Sequence, residues 1–231
     1  MFIVIEGLDG CGKATQSDML KHRLSDLFPS KHITKLSFPD YSAESSHLVK
    51  MYLNGEITND PAEINAYAAS MFFAADRYIS YKTKWQSNRQ NNDIIIADRY
   101  VTANQLYQAA KQPDNNIIPF IDWLDDFEYE RLQLPRPDIV IMLRLPVAIS
   151  QKLILARYND NADKRDIYEA DTAYLQRVYD VSTLVAKHCG WTIIDCNNAD
   201  NIMSKEQISD IILDICLKHD SCKNNNDLDS H

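Results

Sequence analysis

The chain opens on a continuous apolar run, Phe2-Ile3-Val4-Ile5, which stops abruptly at Glu6. A run without polar alternation is the pattern of a strand buried on both faces. Asp93 to Asp98 repeats it, and Ile33 to Phe38, Ile139 to Leu145 and Trp191 to Cys196 are further strand candidates. Between them the apolar spacing turns helical. Met19, Leu20, Leu24 and Leu27 predict a helix from Thr15 to about Phe28 with one buried stripe. Helices are expected at about 45–54, 61–86, 101–110, 117–132, 146–158, 168–188 and 204–218. Pro146 falls in a first turn and Gly190 just past a helix end, where each is favoured. Strands alternating with helices predict an α/β fold. The expectation is a three-layer α/β sandwich: a five-stranded parallel sheet with helices on both faces.

The 231 residues suit one domain, expected over 1–220, followed by a polar, Asn/Asp-rich tail at 221–231 expected to be disordered. The segment Asn159 to Asp166 is dense in charge and empty of large apolar groups, so a flap is expected at about 158–168. A formal net charge of −9 argues against a nucleic-acid polymer as partner, because an acidic surface repels a polyanion. The five cysteines show no zinc or Cys-x-x-Cys spacing, and no apolar stretch reaches membrane-spanning length. The expectation is a cytoplasmic protein with free thiols and no membrane partner.

Candidate chemistry lies just after the strands, where ligands collect in open α/β sheets. Gly7-Leu8-Asp9-Gly10-Cys11-Gly12-Lys13 follows the first strand and opens a helix. Only five glycines occur in the chain, and three of them fall here. Backbone N–H groups freed of bulky side chains, a lysine and a helix N-terminus converge on one anion, as in a phosphate-binding P-loop. Gly7, Gly10, Cys11, Gly12, Lys13, Ala14 and Thr15 are therefore the candidate ATP-binding residues. Ala14 stands where the general motif has a metal-ligating hydroxyl, and Thr15 carries one a position later. Cys11 reads either as an activated thiol at a helix N-terminus or as a small side chain fitting a crowded turn. Asp98-Arg99 follows the third strand, offering a carboxylate for Mg2+ beside a guanidinium for phosphate.

Asp98-Arg99-Tyr100 with Asn104 and Tyr107, together with the phosphate loop, Phe38-Pro39, Phe73-Ala74-Ala75-Asp76-Arg77 and Lys164 to Glu169, resembles the thymidylate kinases in order and spacing over about residues 1–196. The resemblance implies the P-loop NTP hydrolase fold and transfer of the ATP γ-phosphoryl group to dTMP, with Mg2+ as cofactor. It implies that Phe73 stacks on thymine, Arg77 meets its exocyclic oxygen, Asn104 reads the ring N–H edge and Tyr107 packs under the deoxyribose. Phe38, Tyr41, Asp9, Arg99 and Tyr168 complete the implied dTMP site, with Asp9 at the 3′-hydroxyl and Tyr41 and Arg99 at the phosphate. Catalytic roles fall to Lys13, Arg99, Asp9, Lys164 and Arg165, with Arg157 a further flap cation, and metal-binding roles to Asp9, Asp98 and Glu169. Some members carry an arginine where this chain has Gly10, so a flap cation is expected to serve the transferred group. Arg144 stands where the family often has Asp. A homodimer is also implied.

Other readings share these residues: a kinase for another nucleoside monophosphate or a deoxynucleoside, a GTP-dependent switch using Asn197-Asn198-Ala199-Asp200, or a non-catalytic nucleotide-binding scaffold.

Overall fold

The computed structural model describes residues 1–58, 63–91, 93–157, 171–198 and 201–228. Five strands form one parallel sheet: β1 (Phe2–Gly7), β2 (Ile33–Ser37), β3 (Ile94–Asp98), β4 (Ile139–Arg144) and β5 (Thr192–Asp195), in the order β2-β3-β1-β4-β5. Every residue of β1 is buried, as its unbroken apolar run requires of a central strand covered on both sides. Alternation sends Ile3 and Ile5 to one face, where they meet Leu20 and Leu24 of α1 (Lys13–Leu27) and Ile208 and Ile212 of the C-terminal helix. Phe2 and Val4 point to the opposite face, against Trp85, Tyr100 and Val101. The result is the expected three-layer arrangement.

The α1 stripe differs from expectation at its ends. Leu20 and Leu24 are buried, but Leu27 is 51% exposed, and Gln16 and Ser17 are buried instead. The helix packs on the sheet beside the C-terminal helix, which itself reaches the strands, and at its end Phe28 rather than Leu27 packs against the core. Gln16 Nε2 donates to the Lys205 carbonyl at 2.9 Å, linking the two helices.

After α2 (His47–Leu53), the helical region expected at 61–86 resolves into α3 (Ala66–Ser80), a wide π turn (Tyr81–Trp85) and α4 (Gln86–Gln90). Asn65 caps α3 by accepting from the Ala68 amide at 2.9 Å, which sets the start later than Pro61. The region expected at 101–110 is α5 (Val101–Ala103) followed by a π turn (Asn104–Gln108). The one at 117–132 is α6 (Ile117–Leu124) followed by a π turn (Asp125–Arg131). Such wide turns re-aim the side chains they carry and recur at functional sites.

After α7 (Val147–Arg157), α8 (Thr172–Cys189) ends as expected at Gly190, whose φ of 70° only glycine adopts readily. A short antiparallel ribbon, β6 (Asn197–Asn198) with β7 (Asn201–Ile202), precedes α9 (Lys205–Leu228). That helix runs past Lys218 into the stretch expected as disordered tail, where no glycine or proline stops it.

The sheet places its crevice between β1 and β3, adjacent strands whose onward connections run in opposite directions. Both ends that carry candidate chemistry, Gly7 and Asp98, open there.

Candidate active site

The phosphate loop leaves β1 at Gly7 and enters α1 at Lys13. Lys13 Nζ donates to the carbonyls of Gly7 and Leu8 at 3.0 and 2.8 Å and lies 3.9 Å from Asp9 Oδ1, so the lysine braces the loop from within. A side chain at Gly10 would place its Cβ 2.7 Å from the Ser150 carbonyl and 2.9 Å from Ile154 Cγ1, both on α7. Arginine is excluded at this position by the helix packed over it. Ala14 and Thr15 are exposed in the first turn of α1. Cys11 is buried, and burial raises its thiol pKa despite the nearby cations, so the small-side-chain reading holds.

Arg99, the first residue after β3, has φ 67° and turns its guanidinium toward the loop. Nη2 meets Asp9 Oδ1 at 2.6 Å, Nη1 meets Glu6 Oε1 at 3.3 Å, and Nη2 also donates to the Tyr107 hydroxyl at 3.3 Å. The Tyr107 hydroxyl in turn donates to Asp9 Oδ2 at 3.2 Å, and the Arg99 guanidinium lies 4.9 Å from the centre of the Tyr107 ring. Burial alone would raise the pKa of Asp9, but Arg99 and Lys13 outweigh it and hold the carboxyl well below the usual range. Glu6, with no exposed surface, behaves oppositely: burial pushes its pKa up, and Arg99 and Lys13 offset that only in part. Its Oε2 accepts from Thr102 at 2.7 Å and its Oε1 from the Gly7 amide at 2.9 Å. Glu6 thus ties strand, loop and α5 together beneath the site.

Beyond Arg99 lies a cleft of about 700 Å³, open mouth included. Asp9, Phe38, Tyr41, Phe73, Arg77, Arg99, Asn104 and Tyr107, all taken from the sequence as dTMP residues, line it together. Phe73 is half-buried and meets Tyr52 edge-on at 5.9 Å, so it faces the cleft rather than the core. Tyr41 is 53% exposed at the rim. Asp98 is buried at the end of β3. Tyr168, Lys164, Arg165 and Glu169 fall outside the described residues, and of Arg157 only the backbone is described.

Sequence reasoning missed several groups. Glu128, fully buried on the π turn after α6, chelates Arg77: Nε to Oε2 at 2.7 Å and Nη2 to Oε1 at 2.6 Å. Asn104 Nδ2 also donates to Glu128 Oε1, at 3.1 Å. Asp76 fixes the rim by accepting from the Asp40 amide at 2.9 Å and the Ser45 hydroxyl at 2.5 Å. No local signal marks Glu128, which lies among Asp125, Asp126 and Glu130; only its burial against Arg77 sets it apart. Arg144, the departure from the family pattern, is explained by its neighbour in register on β5. It binds Asp195 through Nε at 2.5 Å and Nη2 at 3.0 Å and donates to Thr183 Oγ1 at 2.7 Å, away from the cleft.

A model of the thymidylate kinase family matches residues 5–207. A thymidylate kinase of Mycobacterium tuberculosis is 32% identical over 195 residues, covering 83% of this chain and 87% of its own. One of Prochlorococcus marinus is 28% identical over 227 residues, covering 97% of each. Among solved structures, the thymidylate kinase of Candida albicans matches with a TM-score of 0.64 at 22% identity, over 94% of this chain and 91% of that one. With a phosphate loop, an arginine-floored cleft and a family match across most of its length, the chain belongs to the thymidylate kinase family.

Proposed function

We propose that this enzyme phosphorylates dTMP to dTDP with ATP, and that the cleft between β1 and β3 is where the acceptor sits. The reaction asks for little covalent work. Two anions must be aligned head to head and the charge that spreads over the transferring phosphoryl group must be neutralised. The observation that carries the reading is the Asp9-Arg99-Tyr107 constellation at the shared edge of phosphate loop and cleft. Its guanidinium is already oriented, so it can take a phosphate without reorganising.

In this reading the loop amides and Lys13 hold the β- and γ-phosphates of ATP, and Arg99 holds the dTMP phosphate with Tyr41 at the rim. Asp9 stays anionic and steers Arg99, while Tyr107, kept a neutral phenol first by burial and then by Asp9, packs beneath the sugar. Phe73 stacks on the pyrimidine, and Arg77 and Asn104 read its edge. A bound Mg2+ would supply positive charge against the ATP phosphates. Asp98 fits that ion, because among the described residues no hydrogen-bond donor is recorded on its carboxylate, whereas both oxygens of Asp9 are engaged. Since α7 excludes a loop arginine at residue 10, the cation on the transferring group is assigned to Lys164 or Arg165.

ADP release measured across a panel of nucleoside monophosphates tests this directly. Turnover should be stimulated most by dTMP and stop when EDTA removes divalent cations. A panel with no stimulating monophosphate, or dCMP or dGMP preferred over dTMP, would reject the assignment.

A homodimer is part of the same proposal. Tyr67, Met71, Tyr78 and Ile79 are exposed apolar side chains on α3, and a second copy of this chain would cover them. Light scattering across a dilution series should return about twice the 26.6 kDa chain mass. A monomer mass at every concentration would remove this part. No helix among the described residues is long and apolar enough to cross a membrane, and buried free thiols at Cys11, Cys196 and Cys216 fit a reducing cytoplasm.

A further inference from the structure

We infer that Glu128 is the positioning residue for pyrimidine recognition: a buried carboxylate that sets the hydrogen-bonding face of both Arg77 and Asn104. This rests on the assignment of the cleft to a thymidine monophosphate.

Arg77, Glu128 and Asn104 come from three separate elements, α3 and the π turns after α6 and α5, and all are essentially inaccessible apart from the cleft. A guanidinium has five N–H donors and no acceptor. In Arg77 three nitrogens are engaged, Nε and Nη2 by Glu128 and Nη1 by the Tyr100 carbonyl at 3.2 Å. Each terminal nitrogen keeps a second N–H, so the tip of the fork still donates, and Arg77 lines the cleft.

The consequence for Asn104 is stronger. Its Nδ2 donates to the Ser70 carbonyl at 3.2 Å and to Glu128 Oε1 at 3.1 Å. A backbone carbonyl and a carboxylate held by arginine are acceptors only, so the amide nitrogen must face them and both its protons are used. What Asn104 has left for the cleft is Oδ1, an acceptor. The pair therefore presents a donor at Arg77 beside an acceptor at Asn104. Thymine offers the complement, an exocyclic oxygen beside a ring N–H. Cytosine offers the reverse, an exocyclic amine beside a bare ring nitrogen, and would leave buried polar groups facing their own kind, which costs far more than a missing apolar contact.

Glu128 thus acts on base choice without touching the base. Two variants test it. Glu128→Gln keeps the shape but offers one acceptor where three donors converge. Glu128→Asp keeps a carboxylate to neutralise Arg77 but, one methylene shorter, draws back Oε1, the oxygen that Arg77 Nη2 and Asn104 share. For each, kcat and KM for dTMP are measured along with calorimetric Kd values for dTMP and dCMP. The expected result is a KM for dTMP raised about tenfold or more with kcat within about threefold of wild type. The ratio of dCMP to dTMP affinity should shift toward dCMP by at least tenfold. In an Asn104→Ala background, Glu128→Asp should shift that ratio much less, since one of the two groups it orients is gone. If either folded variant weakens dTMP and dCMP equally, or keeps the wild-type ratio, Glu128 is only structural and the inference fails. A wild-type enzyme inactive on dTMP would instead sink the assignment of the cleft itself.

Discussion

Replacing Arg99 by alanine should lower kcat/KM for dTMP by about 10³, equivalent to about 4 kcal/mol of transition-state stabilisation. The loss is larger than that of an ordinary ion pair because the guanidinium is pre-aligned. Asp9 at 2.6 Å, Glu6 at 3.3 Å and the Tyr107 ring below it hold the fork before substrate arrives. In the proposed mechanism this fork spans the acceptor phosphate, and its charge opposes Glu6 and Asp9 in the same low-dielectric floor. Without it two carboxylates face an incoming dianion. Arg99→Lys should recover little, about tenfold at most, since an ammonium supplies a point charge without the planar pair of donors that meets two oxygens at once. Steady-state kinetics varying dTMP at saturating ATP, with circular dichroism to establish that each variant is folded, reads the effect. A fall below tenfold for the alanine variant would mean that Arg99 does not hold the acceptor.

The second large effect concerns stability. Gly7→Ala should destabilise the fold by about 3–5 kcal/mol, the sum of a strained backbone and a steric conflict that cannot relax. Gly7 has φ 145°, and a Cβ there would lie 2.3 Å from the Leu143 carbonyl oxygen. That oxygen belongs to β4 at the very position paired with Gly7, so moving it breaks the central register of the sheet. Gly12 is the natural control. Its φ of 92° is also unfavourable for alanine, but nothing lies within 4 Å of its Cβ position, so the cost should stay near 1–2 kcal/mol. Urea unfolding of the two variants separates them: the midpoint should fall much further for Gly7→Ala. Equal midpoints would show that backbone conformation alone, and not β4, sets the requirement at residue 7.

Much of the candidate site could be read from the chain because its determinants are local. A phosphate loop is a strand, three glycines, a lysine and a helix start within fourteen residues, and each part acts through its own backbone. The order of apolar runs likewise announces a parallel sheet, since only strands covered on both faces dispense with alternation. Residue spacing placed Asn104 and Tyr107 on one helical face, and both do reach the cleft, although the turn that brings them there is π rather than α.

What was illegible depended on long-range contact. Glu128 looks like one acid among Asp125, Asp126 and Glu130, and nothing local says that it alone turns inward to meet Arg77, fifty-one residues earlier. Leu27 fits the apolar stripe of α1 but is exposed, while its neighbour Phe28 packs against the core, a choice made by the assembled sheet and helices and not by the helix alone. Arg144 looked like an anomaly until β5 placed Asp195 beside it.

The sequence by itself determined the kind of protein: five strands alternating with helices, a glycine-rich loop after the first and an arginine at the neighbouring strand end are encoded by short-range pattern and conformational preference. The tertiary structure alone decided which polar side chains are buried together. The cost of burying a charge is met by partners that arrive from distant elements, and only the assembled fold brings Glu6, Asp9, Arg99 and Tyr107, or Arg77, Asn104 and Glu128, within hydrogen-bonding reach.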